Sequence, residues 1–159
     1  MFFIFREHSE QSPFNFLYLH NIITMANTSI KNGRRIASDR IAELGENEIF
    51  VFGSNIQGAH GGGAAWYAHK HFGAEWGVGD GLTGRTYALP TMEGEASMKK
   101  AVDRFIACAR QHPELTFLVT AVGCGIAGYT PNEVAPLFKE ATSQENVYMP
   151  QCFWNVLGN

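Results

Sequence analysis

The sequence predicts an α/β fold, a sheet with helices on its faces. Three observations carry that reading. Compact apolar runs alternate along the chain with stretches of helical periodicity, the order that builds βαβ units. Residues 116–122 are apolar almost throughout, as in a strand covered on both faces of a parallel sheet. Two glycine-rich loops each follow an apolar run and lead toward a helix start, the position where open α/β sheets bind ligands.

Taken in order, residues 34–44 read as a short helix ended by Gly45 as its C-terminal cap. Residues 49–52, Ile-Phe-Val-Phe, form a run of β-branched and aromatic residues expected as a buried strand. Residues 64–72 read as a helix in which Ala64, Ala65 and Ala68 permit close packing, with Gly73 ending it. A long loop punctuated by Gly77, Gly79, Gly81 and Gly84 precedes a strand at 86–89, stopped by Pro90. Ser97 is the expected N-cap of a helix that sets Met98, Ala101, Val102, Phe105, Ile106 and Ala109 on one face. That spacing is the clearest helical period in the chain. Pro113 lies beyond its end, and the strand at 116–122 comes next. Thr130-Pro131-Asn132-Glu133 is a capping box with proline at the first helical position. Pro136 should kink or restart that helix, and residues 146–149 are expected as a last strand, closed by Pro150.

The 159 residues suffice for one domain with a single sizeable core. With 45% hydrophobic and 17% charged residues, the chain is not of disordered composition. A net charge of −3, with Arg34-Arg35 and Lys99-Lys100 as the only close basic pairs, argues against specific nucleic-acid binding. No apolar stretch approaches the ~20 residues of a membrane span. Three cysteines, Cys108, Cys124 and Cys152, form no metal-ligand spacing and read as reduced thiols of a cytoplasmic protein. Residues 1–24 are rich in phenylalanine and differ in character from the rest of the chain. They are expected either as a non-native extension ahead of a start at Met25 or as an added edge strand or small helix. Residues 25–159 then form the single domain.

The chemistry concentrates in the two loops. The first runs from Phe52-Gly53-Ser54-Asn55 to His60 and Gly61-Gly62-Gly63, opening into the helix at 64. The second reads Gly123-Cys124-Gly125-Ile126-Ala127-Gly128-Tyr129. Glycine loses more backbone entropy on ordering than any other residue, so this density calls for a local reason. Close approach of backbone N–H groups to a phosphate or pyrophosphate is the favoured reading, and tight turns without a ligand are the alternative. Asn55 can donate and accept toward a sugar hydroxyl, or bond its own turn. His60 is the candidate acid or base, against a plain loop histidine. Cys124, between two glycines, is either a nucleophile of lowered pKa or a small loop residue. His69 and His71 are two apart, so a helix points them in different directions and no zinc site is expected.

These residues resemble the macro domain family, which binds ADP-ribose and related nucleotides. The strand at 49–52, Asn55 and Gly61-Gly62-Gly63 opening a helix are similar to the family's asparagine-plus-triple-glycine element. Gly125-Ile126-Ala127-Gly128-Tyr129 is similar to its second, pyrophosphate-holding loop, which commonly reads Gly-Ile-Tyr-Gly-Tyr. The similarity covers residues 49–138. It is closest to a compact branch of bacteria and phages in which FGSN, HGGGAA, YALPT and GCGIAGY recur.

The resemblance implies a three-layer α/β/α fold around a mixed, mostly parallel sheet. It implies adenosine at one end of a cleft and the terminal ribose near Ser54 and Asn55, with Gly61, Gly62 and Gly63 alongside. Gly123, Cys124, Gly125, Ile126, Ala127 and Gly128 would wrap the diphosphate, and Tyr129 would line the cleft. Three departures stand out. The early acidic residue that many macro domains use to read adenine has no match, Asp39 lying in a different local pattern. Ala127 replaces an aromatic that often packs on the terminal ribose. No glutamate pair follows the triple glycine, which disfavours the poly-ADP-ribose-cleaving branch. The expected partner is therefore an ADP-ribose-like nucleotide or an ADP-ribosylated protein, with no cofactor, metal or membrane. A hydrolase releasing ADP-ribose, with Asn55 and His60 at its centre, and a ligand-free interaction module are the alternatives.

Overall fold

Asn32 and Gly33 take positive φ (51° and 75°), the backbone of a two-residue hairpin turn, and this turn sets the first pair of strands. The structure is a computed structural model that describes residues 27–158; the segment 1–24 lies outside them. Strand β1 (Thr28–Lys31) pairs antiparallel with β2 (Arg34–Ala37). The helix expected at 34–44 is therefore a strand followed by an irregular segment. The Asn-Gly turn and tertiary pairing override the helical reading. Gly45 does not cap a helix: its N–H donates to the Glu48 carboxylate at 2.8 Å.

The remaining elements come in chain order. They are β3 (Glu48–Ser54), α1 (Gly63–His71), β4 (Gly81–Thr83), β5 (Thr86–Pro90), α2 (Glu95–Gln111) and β6 (Thr116–Val119). Then come α3 (Pro131–Val134), a 3-10 helix (Ala135–Ser143), β7 (Val147–Pro150) and α4 (Gln151–Leu157). The seven strands form one sheet in the order β1-β2-β7-β6-β3-β5-β4. Its five central strands are parallel, and β1 and β4 add antiparallel edges.

Side chains alternate across this sheet and separate the core into two layers. Ile49 and Val51 of β3, Tyr87 and Leu89 of β5, and Phe117 and Val119 of β6 face α2, α4 and the 3-10 helix. Phe50, Phe52, Ala88 and Leu118 face Ala65, Ala68 and Phe72 of the α1 segment. The result is a three-layer α/β/α arrangement around a mixed sheet. The predicted stripe of α2 is buried at all six positions. Its helix starts two residues before Ser97, with Gly94 as N-cap at φ 91°. The capping box at Thr130 forms, with the Glu133 carboxylate accepting from the Thr130 N–H at 2.7 Å. Pro136 falls where α3 gives way to 3-10 geometry, because it cannot continue the α-helical ladder. Strand β6 ends at Val119 rather than 122. The Val122 N–H turns back to the Thr120 carbonyl at 2.7 Å, so Val122 is buried within a loop.

Candidate functional site

Strands β3, β5 and β6 run in parallel and finish side by side, with Ser54 in register with Pro90 and Val51 with Val119. The loops after them meet at this carboxyl edge and enclose a cleft of about 270 Å³. Gly53, Ser54, Thr91 and Thr120 form its floor, and segments 62–65 and 121–127 contribute its walls. A second recess, lined by Asp39, Arg40, Phe50 and Tyr67, shares Gly63, Ala64 and Thr120 with the first. The two therefore run into one another.

Backbone donors dominate the cleft. Among the described residues, the N–H groups of Gly61, Gly62, Gly63, Ala64 and Ala65 reach no protein acceptor; the first amide of α1 to find one is Trp66, bonded to Gly62. These are the orphan donors of a helix start, where the aligned peptides add partial positive charge. Opposite them, Gly128 N–H closes a turn onto the Gly125 carbonyl at 3.0 Å, and Tyr129 N–H bonds Gly123. That geometry leaves the amides of Gly125, Ile126 and Ala127 without protein partners among the described residues. A Cβ placed on Gly62 would lie 3.9 Å from Ile126 Cδ1, so the two loops face each other across a narrow gap.

Glycine is not required by the fold at every one of these positions. Gly61 and Gly125 have no positive φ, and a Cβ at either would meet nothing within 4 Å. A side chain at either would extend into open space. By contrast, a Cβ on Gly79 would stand 2.0 Å from the Asn55 carbonyl oxygen, so that glycine is set by backbone approaching backbone.

The polar side chains of the cleft point inward to the protein. Ser54 Oγ donates to the Gly79 carbonyl in a short bond, Thr120 Oγ1 donates to Val51 at 2.8 Å, and Thr91 Oγ1 bonds the Ser54 carbonyl at 3.4 Å. The Asn55 carboxamide grips its own loop: Nδ2 donates to the Ala59 carbonyl and Oδ1 accepts the Ala59 N–H, both at 3.0 Å. None of the described residues lining this first cleft carries an ionisable side chain.

Of the residues singled out by sequence, Ser54, Asn55, Gly62 and Gly63 line the cleft from one side. Gly123, Gly125, Ile126 and Ala127 line it from the other. Gly61 is exposed beside them. The rest lie elsewhere. Cys124 and Tyr129 are half-buried against the main core behind the second loop, and the Cys124 N–H bonds Ala121. Burial first, then Cys152 and Glu133, push the Cys124 thiol above its ordinary range, opposite to what a nucleophile needs. The Gly128 N–H is held inside its turn.

His60 is fully buried rather than set at the cleft. Its Nε2 donates to the Glu75 carbonyl at 3.0 Å, and its ring meets Phe52 edge-on at 5.2 Å. It plugs the wall behind the first loop. Sequence reasoning missed the threonine floor, although Thr91 directly follows the strand-ending Pro90. It also set aside Asp39, which the structure brings to the adjoining recess.

No protein-family model matches the chain, and no curated protein matches it.

Proposed function

We propose that the protein binds ADP-ribose or a related NAD-derived nucleotide, as a macro-like module, with the diphosphate between the two loops. The observation carrying this reading is the pair of facing amide rows, from Gly61 to Ala65 and from Gly125 to Ala127, left without protein acceptors. Most of these residues are exposed, so water serves the amides in the free protein, and two open rows of donors around one gap offer an anion a ready seat. The adjoining recess, with Tyr67 as an aromatic wall and Asp39 as an acceptor, suits a nucleobase and its exocyclic amine. Among the described residues lining the first cleft there is no ionisable side chain, and the Ser54, Thr91 and Thr120 hydroxyls are bonded to backbone carbonyls, which favours binding over turnover.

Calorimetry with ADP-ribose is the test. A micromolar Kd, about −8 kcal/mol, is expected. Gly62→Asp and Gly125→Asp should each abolish it, since Cβ and carboxylate take the phosphate position. Because Gly125 faces open space, its variant should keep its stability within about 0.5 kcal/mol. Full affinity in either variant, or no response to ADP-ribose, ADP or NAD in a thermal-shift panel, refutes the reading.

A further inference from the structure

Seven large apolar side chains are exposed among the described residues; Met92 (49%) and Ile126 (84%) line the cleft, and Ile56 (53%) directly follows the lining residue Asn55. None of the three lines the Asp39 recess, which meets the cleft at Gly63, Ala64 and Thr120. Exposed apolar groups beside a binding cleft mark a contact surface. Two of the three are tied together. The Glu93 carboxylate accepts the Ile56 N–H at 2.7 Å and the Met92 N–H at 3.2 Å, joining the loops that follow β3 and β5. Glu93 is itself exposed, and it puts one negative charge on a rim whose neighbouring cleft has none.

A flat apolar ring bearing positive charge fits this combination. Met92 and Ile126 supply apolar and polarisable contact for a ring face. The carboxylate attracts a cation and repels phosphate, which keeps the diphosphate toward the free amides of the two loops.

We propose that this rim holds the pyridinium ring of an intact oxidised dinucleotide, so that the preferred ligand is NAD⁺ rather than ADP-ribose. This rests on the nucleotide reading above and sharpens its ligand class. The ring would extend past Asn55 and lie among Ile56, Met92 and Ile126. Glu93 is then a specificity-determining residue, because it separates the charged oxidised ring from the neutral reduced one.

Calorimetric titration of the full chain with NAD⁺, NADH and ADP-ribose tests the idea. NAD⁺ is expected to bind more tightly than NADH by roughly five-fold, the size of one unscreened charge contact about 4 Å apart in water. It should also bind more tightly than ADP-ribose. Glu93→Gln removes the charge, keeps a carbonyl oxygen for one of the two amides, and should bring the NAD⁺ to NADH ratio to about one. Met92→Ser should lower the ratio of NAD⁺ to ADP-ribose affinity. If ADP-ribose binds while NAD⁺ and NADH are equal, or while NAD⁺ is the weaker, the rim proposal is overturned and the nucleotide reading stands. If none of the three binds, both fall together.

Discussion

Asn55 does its work on the chain rather than in solvent. Its two bonds to Ala59 hold the first loop in the curve that presents the next glycine amides. Asn55→Ala should therefore cost about 1–2 kcal/mol in urea denaturation, the worth of two partly exposed hydrogen bonds. It should weaken nucleotide binding by loosening the loop, even with every amide still present. Gly79 supports the same loop from behind. Gly79→Ala forces a methyl into the Asn55 carbonyl and should destabilise the fold by about 3 kcal/mol, the upper end of overpacking costs. A Gly79→Ala protein as stable as the parent would contradict that backbone contact. At this scale the sequence was legible in identity but not in role. It marked Asn55 and the glycine-rich stretches as special. It could not say that Asn55 faces Ala59, because an asparagine in a turn has several equivalent partners. His60 shows the same limit: only packing against Phe52 and the Glu75 carbonyl reveals it as a buried plug.

Among the elements, those with strong local signals formed as expected. The stripe of α2 and the capping box of α3 are set by residues three and four apart, within reach of sequence reasoning. Strand β2 failed that logic, since Arg34 to Ala37 are strand only because β1 and β7 flank them. Helix α4 and strands β1 and β4 are short and lean on tertiary contact, so no period announced them. Glu133 gives this scale its pH test. The Thr130 N–H, then the Thr130 hydroxyl, hold its carboxyl below the usual carboxylate range. A carboxyl with a lowered folded pKa stabilises above its unfolded pKa and loses that effect as pH falls through the folded value. Between about pH 5 and pH 3, the parent protein's melting temperature should fall more steeply than that of Glu133→Gln. Parallel melting profiles would show that the box contributes nothing ionic.

Across the whole molecule, net charge and the diphosphate cleft are decoupled. The net charge is −3, yet among the described residues the first cleft presents amide dipoles and no charged side chain, Asp39 and Arg40 lying in the adjoining recess. Salt screens exposed charges beyond about 10 Å at 0.1 M and leaves short, aligned dipole contacts largely intact. Binding of ADP-ribose should thus change by less than about two-fold between 50 and 200 mM sodium chloride. A steep loss of affinity with salt would point to lysine or arginine contacts outside the two loops. The α/β class and the meeting of both loops at the carboxyl edge were readable from alternation alone. Strand order was not, because it depends on pairings between distant parts of the chain.

The placement of β7 between β2 and β6 reaches beyond the finished molecule. Ala37 pairs with Pro150, more than a hundred residues later, so the sheet stays split until synthesis has nearly passed its last strand. On the ribosome, β2 and β6 must each wait with an open flank, and contacts of such long span make for slow closure. Open sheet flanks of that kind expose a nascent polypeptide to aggregation.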